Sequence, residues 1–126
     1  MITGVEHIAL CSTDTAALKD WYMQVMGFRQ VYDNGKGTYF LMMQSGAMLE
    51  FISASEDGGK QHERVSGIRH IALNVDDFDS TVAGLLDAGV EVLTEAMVSP
   101  QGIKTFFFKD PDGNILHLID RPTPLG

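Results

Sequence analysis

Two histidines in this chain stand at the same place in two copies of one short segment. Segment 4–14 (GVEHIALCSTD) recurs as segment 67–77 (GIRHIALNVDD), so that His7 corresponds to His70, 63 positions later. Imidazole is the commonest metal-binding side chain in proteins and a proton carrier near neutral pH. A strand-like block that returns with its polar residue intact indicates two copies of one structural unit. It also makes the two histidines candidates for metal binding.

A second correspondence supplies two further candidates. Segment 38–52 (TYFLMMQSGAMLEFI) aligns without a gap to segment 105–119 (TFFFKDPDGNILHLI), which places Glu50 opposite His117. The offset has grown from 63 to 67, so the second copy carries four extra residues, which we expect in a loop at 95–104. Each half therefore offers one histidine near its start and one possible metal ligand near its end.

The phase of the strands suggests how these side chains meet. Alternate residues of a strand share a face, so His7 lies with Ala9 and Cys11, whereas the leucines beside Glu50 and His117 pack beneath helices. If the two halves face each other, all four polar groups point into one cavity. Imidazole and carboxylate without thiolate suit a divalent nickel, zinc, iron, cobalt or manganese ion. A cation would also offset the cost of burying a carboxylate.

Simpler explanations exist for individual residues. A histidine on an apolar strand is often a core residue that hydrogen-bonds to the backbone, and this alternative applies to each of the three candidate histidines. His62 stands in a charged stretch without a repeat counterpart, so we expect it to be solvated. Cys11 lies within an apolar strand, and we expect a small buried hydrophobic residue there.

The first half reads as a βαβββ unit. A strand at 4–12 is followed by Asp14 as the N-cap of a helix, which Gly27 ends. Three strands follow near 28–33, 37–43 and 47–54, separated by glycine-containing turns.

The second half repeats the plan, with Asp77 as the cap of its helix and Gly89 as the stop. Its strands are predicted at 67–75, 90–93, 104–109 and 114–120, and Pro100 lies in a long loop after the second of them. We expect an α+β fold in a single domain, residues 1–126. The first module spans residues 1–54 and the second 67–120. A linker joins them at 55–66, and a tail follows at 121–126.

Composition excludes several classes of function. The net charge is -8 and the nine Lys and Arg residues are scattered, which disfavours binding to nucleic acid. No apolar run approaches the roughly 20 residues that span a membrane, and no signal-like segment is evident at the N-terminus. One cysteine cannot form an internal disulfide. We therefore expect a cytoplasmic protein whose partner is a small molecule.

These motifs resemble the vicinal oxygen chelate superfamily, which includes glyoxalase I, methylmalonyl-CoA epimerase, fosfomycin-resistance proteins, bleomycin-binding proteins and extradiol dioxygenases. The resemblance covers nearly the whole chain. Its most specific parts are the two HIAL strands, the helix that contains Trp21 and Tyr22, and the segment FKDPDGNILHLI at 108–119. It implies paired βαβββ modules related by a pseudo-two-fold, a U-shaped barrel around a metal, and commonly a homodimer.

The resemblance also implies a ligand set. The family's ligand positions fall on His7, Glu50, His70 and His117. The first three match glyoxalase-I-like members, whereas those members usually carry Glu at the fourth, where the carboxylate doubles as a base. Without that Glu, the set His7, His70 and Glu50 is the two-histidine, one-carboxylate type of non-haem iron oxygenases. It looks like the extradiol triad with the two halves exchanged.

Three functions follow as expectations. The leading one is a glyoxalase-like isomerase or lyase, in which a divalent metal binds vicinal oxygens of a small substrate and stabilises an enediolate. Glu50 would then be ligand and base, and His117 a second proton carrier. The second is an extradiol-type iron dioxygenase. The third is a non-catalytic drug-binding or resistance protein whose cavity holds an aromatic ligand.

Overall fold

A repeated order of secondary structure organises the chain in the computed structural model, which describes residues 1–59 and 63–126. The contacts divide the chain into two compact units, Met1–Gly59 and Lys60–Gly126, which we call the first and second modules. Each contains one helix and one four-stranded sheet. The predicted α+β fold with two βαβββ modules is confirmed.

The first module begins with β1 (His7–Ser12), α1 (Thr15–Met26) and β2 (Arg29–Asp33). It ends with β3 (Tyr39–Met42) and β4 (Met48–Ser53). The strand order is β1-β4-β3-β2, in which β1 and β4 are parallel and the other pairs antiparallel. The first and last strands of the module are therefore neighbours.

The second module contains β5 (Ile71–Asn74), α2 (Phe78–Asp87) and β6 (Glu91–Val98). It ends with β7 (Lys104–Lys109) and β8 (Ile115–Asp120). Its order is β5-β8-β7-β6, again with a parallel first pair. The two sheets have the same topology, as the sequence repeat predicts.

Both helices begin at the predicted caps, and α1 ends at Gly27 as predicted. The C-cap of α2 is Ala88, one residue before the predicted stop Gly89, which follows in the left-handed conformation at φ 76°. The Asp14 carboxylate accepts a hydrogen bond from the Ala17 amide, and Gly27 ends α1 in the left-handed conformation at φ 74°. The Asp77 carboxylate accepts from the Ser80 amide at the start of α2. These caps stabilise helix ends whose backbone groups otherwise lack partners.

The core of each module lies between its helix and one face of its sheet. In the first module Tyr22 of α1 is fully buried, and its ring centroid lies 5.4 Å from that of Phe51 on β4. In the second module the buried faces of β7 and β8 include Phe106, Phe108 and Leu116. The opposite face of each sheet carries the candidate ligands that lie within strands, His7, Glu50 and His117, because successive side chains of a strand alternate.

Two predictions about strands and burial require correction. The strand predicted at 67–75 starts only at Ile71, because Gly67 has φ 130°, outside the range of a regular strand. His70 thus lies immediately before β5. Cys11 is exposed rather than buried, because it shares the face of His7 and Ala9, away from α1. His62 lies outside the described residues.

The extra residues of the second copy lengthen a hairpin rather than a loop. The strand predicted at 90–93 extends to Val98, and its pairing with β7 shifts register between Val92 and Thr94 and again between Thr94 and Met97. Such bulges accommodate additional residues within a ladder. The loop predicted at 95–104 is therefore wrong, and only residues 99–103 connect the two strands.

The turn between β7 and β8 depends on one buried carboxylate. Asp110 is 4% exposed, and its oxygens accept hydrogen bonds from the amides of Asp112 and Asn114 and from the Asn114 side chain, at 2.8 to 2.9 Å. We expect Asp110→Ala to lower the free energy of unfolding by about 3 kcal/mol, because it leaves these donors without their acceptor. Urea unfolding measures the change. Asp112→Ala, at an exposed position of the same turn, should cost less than about 0.5 kcal/mol. Equal effects would contradict this role of Asp110.

Candidate functional site

The registers of the two sheets place the candidate residues at equivalent positions. In the first module Glu50 is opposite Ala9 in the parallel pair and opposite Phe40 in the antiparallel pair. In the second module His117 is opposite Ala72 and Phe107 in the same way. The alignment of Glu50 with His117 is thus a structural equivalence.

His7 and Glu50 form the first candidate pair. Nε2 of His7 lies 3.4 Å from Oε1 of Glu50, and their side chains are 38% and 19% exposed. On the other side of the ring, Nδ1 of His7 lies 2.7 Å from Oε1 of Glu6. The His7 ring also makes an edge contact with Phe40, at 5.4 Å between centroids. These contacts direct Nε2 toward the Glu50 carboxylate.

The electrostatics of this pair favour a cation between His7 and Glu50. The Glu6 carboxylate only accepts hydrogen bonds, so Nδ1 of His7 carries the hydrogen and Nε2 of the neutral ring presents a lone pair. That lone pair faces a carboxylate oxygen. A proton on Nε2 or a metal ion between the two atoms would remove the repulsion. Two ligands held at about 2.1 Å by one tetrahedral ion stand roughly 3.4 Å apart, which matches the observed separation.

His70 and His117 form the second candidate pair. Their ring centroids are 5.1 Å apart and the rings are nearly perpendicular. The His117 ring stacks on Phe107 at 4.0 Å, and His117 is 8% exposed. Neither ring nitrogen of His117 has a hydrogen-bond partner within the described part of the chain. A core histidine bonded to the backbone therefore does not describe this residue.

Both rings of the second pair favour the neutral form. The pKa of His117 is lowered from 6.5 to about 4, chiefly by burial and in addition by the nearby charges of His70, Arg121 and Arg69. Burial, and then Arg69, also lower the pKa of His70. Neutral imidazole is the form that binds metals. The buried, unbonded nitrogens of His117 therefore fit a metal ligand.

The sequence reasoning missed two residues that contact these histidines. Glu6 contacts Nδ1 of His7, and Arg69 donates from its guanidinium to Nδ1 of His70 at 2.9 Å. Both directly precede the repeated histidines. The available signal was a charge reversal at the same position of the repeat, where the first copy has Glu and the second has Arg.

Each module thus brings together two of the four predicted ligands. No group of three or more His, Cys, Asp or Glu side chains able to hold a metal occurs in residues 1–59 and 63–126. The predicted set of His7, Glu50, His70 and His117 around one ion stays a prediction. Its donor types suit a divalent transition metal.

Comparison with known proteins identifies the class to which this fold and these residues belong. A family model described as the Glyoxalase/Bleomycin resistance protein/Dioxygenase superfamily matches residues 4–118. The chain belongs to this superfamily, as its motifs indicate.

Individual relatives extend over almost the full chain. The uncharacterized protein YaeR of Escherichia coli (strain K12) is 34% identical over 126 residues, covering 93% of this chain and 95% of that protein. The structure of a superfamily member from Sphaerobacter thermophilus DSM 20745 is 26% identical, with a TM-score of 0.75, and covers 94% of this chain and 97% of that chain. A glyoxalase family protein from Enterococcus faecalis is 25% identical, with a TM-score of 0.74, and covers 93% and 97%. None of the described helices is long and apolar enough to cross a membrane.

The lowered pKa of His117 predicts an acid-sensitive stability. The pKa is about 4 in the folded protein and 6.5 ordinarily, so the unfolded chain takes up this proton first. The contribution of neutral His117 is complete above about pH 6.5 and is lost as pH falls toward about 4, at a cost of roughly 3 kcal/mol. We expect metal-free wild type to lose roughly that much more stability than His117→Leu between about pH 7.5 and 4. Urea unfolding in the presence of a chelator measures both proteins, and parallel pH profiles would contradict the prediction.

Proposed function

We propose that this protein is a metal-dependent, glyoxalase-like enzyme of the isomerase or lyase type, acting on a small substrate with vicinal oxygens. His7, Glu50, His70 and His117 would surround one divalent ion and leave a coordination position for substrate. The observation that carries the proposal is the 3.4 Å separation between Nε2 of His7 and a carboxylate oxygen of Glu50. The unbonded nitrogens of buried His117 support it.

The residues suggest which ion would bind and what it would do. Two or more imidazoles with one carboxylate suit nickel, zinc, iron, cobalt or manganese. A divalent ion supplies Lewis-acid polarisation of neighbouring substrate oxygens. Glu6 would hold the His7 ring in its ligating orientation, as outer carboxylates commonly do for metal-binding histidines.

The polar groups of the site have different capacities for proton transfer. Glu50 is partly exposed, so its carboxylate is accessible as a base as well as a ligand. His117 is more buried than Glu50, and its pKa of about 4 keeps the ring in the neutral form that binds metals. In the proposed enzyme His117 therefore acts chiefly as a ligand, and Glu50 is the residue that moves the substrate proton.

A second function is favoured by one sequence feature. With His rather than Glu at position 117, the site contains a single carboxylate among three histidines, and the two-histidine, one-carboxylate set belongs to non-haem iron oxygenases. An extradiol-type dioxygenase would require ferrous iron and consume dioxygen with a catechol. A drug-binding protein would bind its ligand without metal and without turnover. Metal identity and oxygen uptake separate the three functions.

The metal content of ligand variants tests the proposal. We expect wild type purified without chelators to contain close to one divalent ion per chain. Glu50→Ala and His117→Ala should each lower the metal affinity at least about 100-fold, because each loses a direct ligand. His62→Ala is the matched control and should keep its metal. Plasma mass spectrometry measures the metal, and equal content in all four proteins would contradict the proposal.

We also propose that the protein is a homodimer. The strands β2 and β6 lie at the ends of their sheets and expose apolar side chains, among them Tyr32 at 52% and Val98 at 63%. Exposed apolar edge strands commonly pair with another chain. Sedimentation at micromolar concentration should show a species near twice 13.8 kDa. A single species of 13.8 kDa would contradict the dimer.

A mixing experiment then decides which chains complete the metal site. Glu50→Ala lacks a ligand of the first module and His117→Ala a ligand of the second. Hybrid dimers of these two variants regain one intact site if each site combines modules from different chains, and regain none if each site lies within one chain. Homodimers of either variant serve as controls.

A further inference from the structure

The residues that precede the two repeated histidines carry opposite charges and contact the same ring atom. Glu6 and Arg69 are 63 positions apart and so occupy equivalent places in the repeat. Oε1 of Glu6 lies 2.7 Å from Nδ1 of His7, and Nη1 of Arg69 lies 2.9 Å from Nδ1 of His70. Both copies of the repeat therefore make a contact with Nδ1, but the contacting group is an anion in the first copy and a cation in the second.

Hydrogen-bond chemistry assigns a different tautomer to each ring. A carboxylate has no hydrogen to donate, so Nδ1 of His7 must carry the hydrogen. A guanidinium has no acceptor, so Nδ1 of His70 must supply the lone pair. The neutral His70 ring then carries its hydrogen on Nε2. Burial and the Arg69 charge lower the pKa of His70 and so favour this neutral form.

Arg69 is fixed in place by contacts other than the histidine. Its Nε donates to the backbone oxygen of Glu63 and its Nη2 to the Glu63 carboxylate, both at 3.2 Å. The guanidinium also lies over the Phe107 ring, at 5.4 Å from the centroid. The edge of the His70 ring meets the same phenyl group at 5.5 Å. These contacts orient the donor before any ligand binds.

We propose that Glu6 and Arg69 are paired positioning residues that set opposite tautomers, so that Nε2 of His7 presents a lone pair and Nε2 of His70 presents a hydrogen-bond donor. The two repeated histidines then have different tasks despite their equivalent positions.

The consequence for the site rests on the proposed function. Of the four residues proposed to surround the ion, His7, Glu50 and His117 would be its direct ligands, because the contacts leave each of them able to present a lone pair. His70 would stand beside the ion and donate its Nε2 hydrogen to an oxygen of the substrate. Such a donor stabilises negative charge that develops on that oxygen. Arg69 would thus tune substrate binding through His70 without touching the substrate.

Nitrogen NMR of histidine rings tests the tautomers directly. In protein labelled with ¹⁵N-histidine, protonated and unprotonated ring nitrogens give separate signals, and single His substitutions assign the four residues. We expect metal-free wild type at about pH 8 to show His7 protonated on Nδ1 and His70 on Nε2. The opposite tautomer of either ring in wild type would overturn the proposal.

Charge-reversed variants show whether the neighbours cause these tautomers. Arg69→Glu should convert His70 to the Nδ1-protonated form, whereas Arg69→Lys, which keeps a donor, should retain the wild-type form. Arg69→Leu provides a second variant if the reversal does not fold, and it should leave a mixture of tautomers. Arg29→Glu introduces the same charge change in the first module and should leave His70 unchanged. An unaltered His70 signal in both Arg69→Glu and Arg69→Leu would also overturn the proposal.

Zinc titration of the same samples tests the consequence for the ligands. We expect zinc to shift the Nε2 signal of His7 and the ring signals of His117, while the protonated Nε2 of His70 persists. His70→Gln should bind zinc within about 10-fold of wild type, in contrast to at least about 100-fold loss for Glu50→Ala. Loss of the His70 Nε2 hydrogen on zinc binding would overturn its assignment as a donor. A wild type that takes up no zinc would contradict the proposed function, and the metal-free spectra alone would then decide the tautomers.

Discussion

The register between the first and last strands of each module is the constraint on which the candidate site depends. In β4, Leu49 and Phe51 are buried on the helix side and Glu50 lies between them on the other side. A shift of one residue would turn every side chain of the strand over. It would place the carboxylate beneath α1 and expose two large apolar groups. The free-energy cost of that shift keeps Glu50 on the same face of the sheet as His7.

The same constraint acts in the second module with a different polar residue. Leu116 and Leu118 are buried on either side of His117, and all three lie in the β8 strand. His117 is buried as well, and its ring nitrogens lack hydrogen-bond partners. The neutral ring stacks on Phe107, and these apolar contacts offset part of the free-energy cost of the unbonded nitrogens. A metal ion would satisfy one of those nitrogens. Fold stability and ligand geometry thus depend on the same strand pairing.

Much of the fold could be predicted because its signals are local or repeated. The caps Asp14 and Asp77 and the left-handed Gly27 act within one turn of their helices. The ungapped alignment of 38–52 with 105–119 predicts equivalent hairpins, and the observed registers of Glu50 and His117 agree residue by residue. The repeat also explains why the histidine at the start of each module, His7 in β1 and His70 just before β5, lies near a polar residue of the last strand.

Other features could not be predicted because they depend on contacts between elements. The bulges of β6 arise from its pairing with β7, so the sequence alone suggested a loop. The roles of Glu6 and Arg69 depend on which ring nitrogen each side chain reaches. The exposure of Cys11, by contrast, could have been predicted, because its strand phase places it on the face of His7 and Ala9.

Anomalous diffraction at the absorption edge of the bound metal, from crystals of protein purified without chelators, would locate the ion directly. We predict one peak within about 2.3 Å of Nε2 of His7 and an oxygen of Glu50, and within bonding distance of a ring nitrogen of His117. A metal bound elsewhere, or a direct hydrogen bond between His7 and Glu50 with no anomalous peak, would contradict it.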